Sequence, residues 1–227
     1  MVAKEAARIR LGAAAFAIAG VLFVLYPAIR PFSDETTLQG AAAFASTAWI
    51  VAHMLAMVGF ALVTIGLLGL YVAVRATAAE AIAFWSLAVA LAGVGLLLPF
   101  YGAEAFGLHA IGQEAIRQHS VVLVGLAGIV RSGPELIMFL VGLLLLAASG
   151  IMTAAAIWRS GSLARWSGVP LAAGFALYIP QFFGNQPIRV AHGLLVTIGC
   201  FWIAAGMWRH ALPPKPSAQG RGSSSFV

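Results

Sequence analysis

Two histidines inside long apolar stretches are the residues best suited to chemistry in this sequence. His53 and His192 each stand in a Val-Ala-His-x-Leu motif, over 51–55 and 190–194. Ionisable side chains within membrane-length segments are rare and commonly functional. Imidazoles from two helices at a similar depth can ligate one haem iron from both sides. The motif pair therefore predicts a bis-histidine site for haem b or a related iron porphyrin.

Two arginines are expected to complete this haem site. Arg189 lies three residues before His192, on the same helical face, and Arg30 follows the first apolar stretch. Both are placed to bind haem propionates at the water boundary. Alanine and glycine neighbours, among them Ala52, Gly59 and Gly193, would let a flat macrocycle approach the helices. The pattern resembles small membrane b-type cytochromes in architecture.

A second group of ionisable residues lies in the polar segment 102–133. Glu104, His109 and His119 are candidates for catalysis, and the two histidines are also candidates for a second haem or metal site. His109 and His119 are ten residues apart, so in one straight helix they would be about 15 Å apart. They could share a metal only if the segment bends. The alternative is an amphipathic helix at the membrane interface.

Composition determines the class of protein that must position these residues. Of 227 residues, 62% are hydrophobic and 9% are charged, whereas soluble domains carry roughly 25% charged residues. Such a chain is predicted to be an all-α membrane protein in contact with the lipid bilayer. The net charge of +6 comes from residues beside the apolar stretches, so nucleic-acid binding is not expected. The single cysteine, Cys200, excludes an intrachain disulfide.

Apolar stretches of about 20 residues can cross a hydrocarbon core of about 30 Å. We expect the first to be a transmembrane helix rather than a cleaved signal, because it is long enough to span. The apolar run 121–130 is too short and is expected to be interfacial or re-entrant, within an outer insertion between the third and fourth spans. Residues 1–210 would form one transmembrane domain, followed by a disordered cytoplasmic tail over 211–227. The predicted spans are 11–29, 48–74, 82–101, 135–158, 163–183 and 188–209.

An even number of crossings places both termini on one side of the membrane. Nine of the thirteen basic residues fall on that side. The positive-inside rule therefore predicts cytoplasmic termini in the plasma membrane, with the other loops outside. The remaining four basic residues are Arg30, Arg117, Arg131 and Arg189. His53 and His192 would then lie roughly 6–9 Å below the outer boundary.

Three functions are compatible with this pattern. The first is a haem protein that transfers electrons or acts as an oxidoreductase near the outer face, with a redox protein or a quinone as partner and with oligomers allowed. The second is a carrier or channel for a small neutral or lipophilic compound. The third is a membrane scaffold, in which both histidines only bond to carbonyls of neighbouring helices. Midplane charge pairs are lacking, which disfavours an ion-coupled carrier.

Overall fold

The computed structural model describes residues 3–212, which are mostly helical, with no strand among them. Residues 213–227, most of the predicted tail, lie outside the described residues. Five helices are long and apolar enough to cross a membrane, which indicates an integral membrane protein. The helices are α1 (Ala3–Ile29), α2 (Leu38–Phe44), α3 (Thr47–Val74), α4 (Glu80–Gly102), α5 (Leu108–Gln118), α6 (Val121–Val124), α7 (Leu126–Val130), α8 (Gly133–Ser160), α9 (Val169–Ala176) and α10 (Gln186–His210).

Five of the predicted spans correspond to these long helices, with different ends. α1 begins at Ala3 rather than near residue 11, because the basic residues before the apolar stretch continue the helix. α8 begins at Gly133, and the Ser132 hydroxyl before it donates to the Ile129 carbonyl and does not cap the helix. The apolar stretches therefore located the helices well and their ends less well.

The long helices cross where glycine allows their backbones to approach. A Cβ on Gly12 of α1 would lie 2.6 Å from the Gly69 Cα of α3. A Cβ on Gly193 of α10 would lie 2.5 Å from the Phe23 carbonyl oxygen of α1. Small residues at helix crossings are a usual packing device within membranes. As a result α1 lies between α3 and α10, which make few contacts with each other.

α4 and α8 form a second closely packed pair. A Cβ on Gly93 would lie 2.8 Å from the carbonyl oxygen of Gly142. A buried cluster of hydroxyls also joins the two helices: Ser86 Oγ lies 2.7 Å from Thr153 Oγ1, and Ser149 Oγ donates to the Ser86 carbonyl oxygen at 2.8 Å. These polar groups satisfy one another, so we assign them to helix association.

The expected span 163–183 differs from a continuous helix. It consists of a 3₁₀ turn (Arg165–Gly168), α9, and a second 3₁₀ turn (Pro180–Phe183). Proline lacks the amide hydrogen that continues a helix and clashes with the preceding turn. Pro170 is tolerated in the first turn of α9, whereas Pro180 comes after α9 has ended and starts the second 3₁₀ turn. The segment nevertheless packs along both α8 and α10.

The polar segment 102–133 is more ordered than an open loop. α4 continues through a π-helical turn (Ala103–Gly107) into α5, which gives one helix of 39 residues from Glu80 to Gln118. α6 and α7 then return along it. Together with α2 they form an end layer (α2, α5, α6 and α7) that packs around a small core of its own. That core contains Ala41, Phe44, Trp49, Leu108, Ala115, Val124 and Ala127.

Candidate functional site

A cavity of about 740 Å³ lies at the His53 end of the bundle, the end at which α1 finishes and α3 begins. Its volume is within the range of small-molecule sites. One side is apolar, with walls from α4, α8 and the second 3₁₀ turn. The other side carries the ionisable residues. The apolar wall consists of Phe100, Leu136, Phe139, Leu140, Ile179, Phe182 and Phe183.

A network of ion pairs forms the polar side of this cavity. Arg131 donates to both carboxylate oxygens of Glu104, from Nε at 2.5 Å and from Nη2 at 2.9 Å. Its Nη1 donates to Glu35 at 2.5 Å, and Arg30 donates to the other oxygen of Glu35 at 2.7 Å. Two guanidinium groups therefore balance two carboxylates, and the network has no net charge.

Three separate pieces of chain bring these four residues together. The π-helical turn places Glu104 on the cavity side, and wide turns of this kind are frequent at functional sites. The loop after α1 carries Glu35, and the Asp34 side chain fixes this loop by accepting from the Thr36 amide. Arg131 ends α7, immediately before α8. The network thus ties α1, the π-turn and the end layer to one another.

The loop residues of the network are held in their charged forms. Burial raises the pKa of Glu35, but the guanidinium groups of Arg30 and Arg131 outweigh burial, so the pKa lies below its ordinary value. Burial lowers the pKa of Arg131, and the Glu104 and Glu35 carboxylates raise it by more. Opposite charges at short distance favour the ionised state of each partner. The ion pairs are therefore intact at neutral pH.

His53 lies beside this network and lines the cavity. Its side chain is buried, with 1% of the residue exposed. Nδ1 lies 2.8 Å from the Trp49 carbonyl oxygen, and Nε2 lies 3.7 Å from Glu104 Oε2. The rings of Trp49 and Tyr26 pack against the imidazole, with centroid distances of 4.5 and 5.5 Å. These contacts fix the ring with Nε2 towards Glu104.

His192 lies on the other side of α1 and does not line the large cavity. Its Nε2 donates to the Gly174 carbonyl oxygen at 2.7 Å, and its ring packs edge-on against Tyr178. With Tyr26, Arg30 and Arg189 it borders a crevice of about 10 Å³, too small for a ligand larger than water. The structure therefore brings His53 and His192 to the same end of the bundle, with α1 between them.

Arg30 and Arg189 hold the ring of Phe32 between their guanidinium groups, at 4.8 and 5.2 Å from the ring centroid. Arg189 also donates to the carbonyl oxygens of Phe182 at 2.7 Å and Gly184 at 3.1 Å. These two arginines, predicted to lie at the water boundary, both line the large cavity. Arg189 has carbonyl and aromatic partners rather than a carboxylate among the described residues.

The two histidines of the end layer lie outside the cavity. His109 Nδ1 donates to the Phe44 carbonyl oxygen at 2.9 Å, which joins α5 to α2. Its Nε2 accepts from the Gln113 amide at 3.0 Å. His119 is exposed and ends α5 with a left-handed backbone, at φ 50°. The two side chains stay at opposite ends of α5, and only Glu104 of the three catalytic candidates lines the cavity.

The bis-histidine haem stays a prediction. Small residues that were expected to make room for a macrocycle are occupied in helix packing, as at Gly193 against Phe23. His53 Nε2 keeps a lone pair for ligation, whereas His192 donates through Nε2 and would ligate through Nδ1. Within residues 3–212, no group of three or more His, Cys, Asp or Glu is arranged to hold a metal ion. Haem needs only two protein ligands, so that finding does not decide this prediction.

Glu35, Arg131 and the apolar wall were not predicted from the sequence to belong to a site. The sequence did contain a sign of this network, because Arg30, Glu35, Glu104 and Arg131 all lie near predicted outer ends of spans, where opposite charges favour ion pairs. The loops that carry these residues decide which charges meet, and loop conformation does not follow from sequence periodicity.

No protein family, curated protein or solved structure gives a significant match to this chain.

Proposed function

We propose that this protein binds a lipophilic small molecule with a neutral polar head in the cavity beside His53. The observation that supports the proposal is the division of that cavity into an apolar wall and a charge-balanced polar side. An apolar pocket with a few convergent polar groups is the usual form of a small-molecule site. The site suits a membrane carrier or a binding protein for a lipophilic compound.

The pairing of charges favours a neutral head group. The lining balances three arginines against three carboxylates: Arg30, Arg131 and Arg189, and Asp34, Glu35 and Glu104. A charged head group would add an uncompensated charge to this lining, which is costly away from bulk water. A neutral head can instead form hydrogen bonds and leave the charges balanced.

The apolar wall supports entry of the ligand from the membrane. Leu136 and Leu140 are partly exposed, and Phe183 at the edge of the cavity is 90% exposed. The wall thus continues from the cavity to the outside of the bundle, between α8 and the second 3₁₀ turn. An apolar tail could lie along this wall while its head meets the polar side.

We further propose six crossings, with the segment 165–183 as an interrupted sixth span. Its contacts with both α8 and α10 support this topology, since it connects the last residue of α8 to the first of α10. The excess of basic residues at the opposite end of the bundle supports cytoplasmic termini. The cavity and the end layer would then face the outside of the plasma membrane.

Haem-based electron transfer is the second candidate. The lone pair on the buried Nε2 of His53, aimed into a cavity with arginines at its edge, is the specific observation that favours it. A Soret band that shifts on reduction, and that is lost in His53→Ala and His192→Ala but kept in His210→Ala, would support haem. A colourless protein that retains a lipophilic molecule would support the first candidate.

The cavity itself is tested by filling it. Leu140→Trp places a large ring on the cavity wall, whereas Leu144→Trp places it one turn later on the same helix, at a residue that is 60% exposed. Native mass spectrometry of gently purified protein should detect a bound lipophilic molecule in the wild type and in Leu144→Trp, but not in Leu140→Trp. Identical spectra for all three proteins would contradict the proposed function.

A further inference from the structure

The hydrogen bonds of His53 determine which of its nitrogens carries the proton. A carbonyl oxygen can only accept, so the 2.8 Å contact with the Trp49 carbonyl requires a hydrogen on Nδ1. In the neutral imidazole the other nitrogen is then an acceptor. Burial among the rings of Trp49 and Tyr26 favours this neutral form, so His53, which lines the cavity, presents Nε2 as an acceptor.

The nearest polar group to this lone pair is also an acceptor. Glu104 Oε2 lies 3.7 Å from Nε2, which is beyond hydrogen-bond distance. Both oxygens of Glu104 accept hydrogen bonds from Arg131, so Glu104 takes part in this contact as an acceptor. Nε2 and the carboxylate therefore lie next to each other as two acceptors at the cavity, and no hydrogen-bond donor among the described residues reaches Nε2.

An acceptor that lines a cavity and has no protein donor can accept a hydrogen bond from a bound molecule, so the cavity favours an occupant that donates. The occupant must carry a hydrogen on a small polar group, because the rings of Tyr26 and Trp49 confine His53 on both sides. The surrounding charges already balance, so the donor should be neutral. A hydroxyl group meets each condition, whereas a carbonyl or an ether oxygen cannot donate.

We infer that the ligand of this cavity is a lipophilic alcohol or phenol whose hydroxyl donates a hydrogen bond to Nε2 of His53. This inference rests on the proposed function and adds the chemical class of the head group. Glu104 provides a second acceptor beside Nε2, since Arg131 holds its carboxylate where it can accept a hydrogen bond from a dihydroxy or hydrated head. The apolar tail lies against Phe139 and Leu140.

Two probes of equal tail length test the role of the hydroxyl. Binding of 1-dodecanol and of dodecyl methyl ether to the purified protein is compared by native mass spectrometry in the same detergent. The wild type should bind the alcohol at least about 10-fold more tightly than the ether, because a site built to pair a hydroxyl rejects an analogue without it. His53→Phe should bind both probes equally, and His109→Phe, altered in the end layer, should keep the preference.

A measurement on the wild type keeps the test independent of variant folding. With ¹⁵N-labelled histidine, the Nε2 resonance of His53 should shift when 1-dodecanol is added and stay unchanged with the ether. Equal binding of both probes without this shift would overturn the inference and leave the proposed function standing, since water in the cavity would then be the donor to Nε2. Failure of both probes to bind, together with identical spectra for Leu140→Trp and the wild type, would overturn both.

Discussion

At the scale of single residues, the cavity depends on ion pairs that join distant parts of the chain. Glu35 is the central member, because its carboxylate accepts from Arg30 on one side and from Arg131 on the other. Each charged group stabilises the fold only while its partners are present, since an uncompensated charge at this depth is costly. The polar side of the cavity should therefore respond as a unit to the loss of any one member.

The titration of Glu35 gives this network a defined pH dependence. A carboxyl group whose pKa is lowered by folding stabilises the protein above its unfolded pKa, and this contribution is lost as the pH falls through the folded pKa. Glu35→Gln should lower stability at neutral pH by about 2 kcal/mol, the size of a hydrogen bond to a charged group. For a chain of this length that corresponds to roughly 4–8 °C in Tm.

The difference in stability between Glu35→Gln and the wild type should disappear in acid. The difference in Tm should be constant above the ordinary glutamate pKa of 4.5 and vanish as the pH falls further. Glu114→Gln is the control, because Glu114 pairs with Arg117 at an exposed position, where ion pairs contribute little. An equal Tm for wild type and Glu35→Gln at pH 7 would show that the network does not stabilise the fold.

At the scale of helices, glycine contacts decide how the spans approach one another. Gly193→Ala should destabilise the protein by about 1–3 kcal/mol, because the new Cβ would meet the backbone of α1 and overpack the crossing. Gly95→Ala is the control, since nothing lies within 4 Å of the position its Cβ would take. Thermal unfolding in detergent measures both, and an unchanged Tm for Gly193→Ala would mean that α1 and α10 are farther apart than described.

The long helices could be predicted from the sequence, and much of the site could not. Hydropathy located α3 and α10 to within a few residues, because lipid requires each crossing to satisfy its own backbone. Hydropathy carries no information on which helices are neighbours. The predicted haem site therefore joined His53 and His192, although α1 lies between their helices. The π-turn at Glu104 and the loop at Glu35 depend on tertiary contacts, which sequence periodicity does not report.

At the scale of the whole molecule, the segment 165–183 decides the topology. In a Cys200→Ala background, single cysteines at Ala164 and Asn185 should be labelled from opposite sides of the membrane if the segment crosses. Thr36→Cys should behave like Asn185→Cys, since both positions lie at the His53 end. Intact cells exposed to an impermeant maleimide, before and after permeabilisation, provide the measurement. Labelling of Ala164→Cys and Asn185→Cys from one side would leave five crossings.

The π-turn between α4 and α5 links chain length to the content of the site. Each residue of an α-helix turns the chain by about 100°, whereas the wide turn over Ala103–Gly107 turns it by less per residue and so holds about one residue more. Removal of one residue there would restore regular winding and leave α5 in nearly the same orientation. His109 would keep its contact with α2, but Glu104 would shift relative to Arg131. The extra residue therefore serves the polar side of the cavity rather than the packing of the end layer.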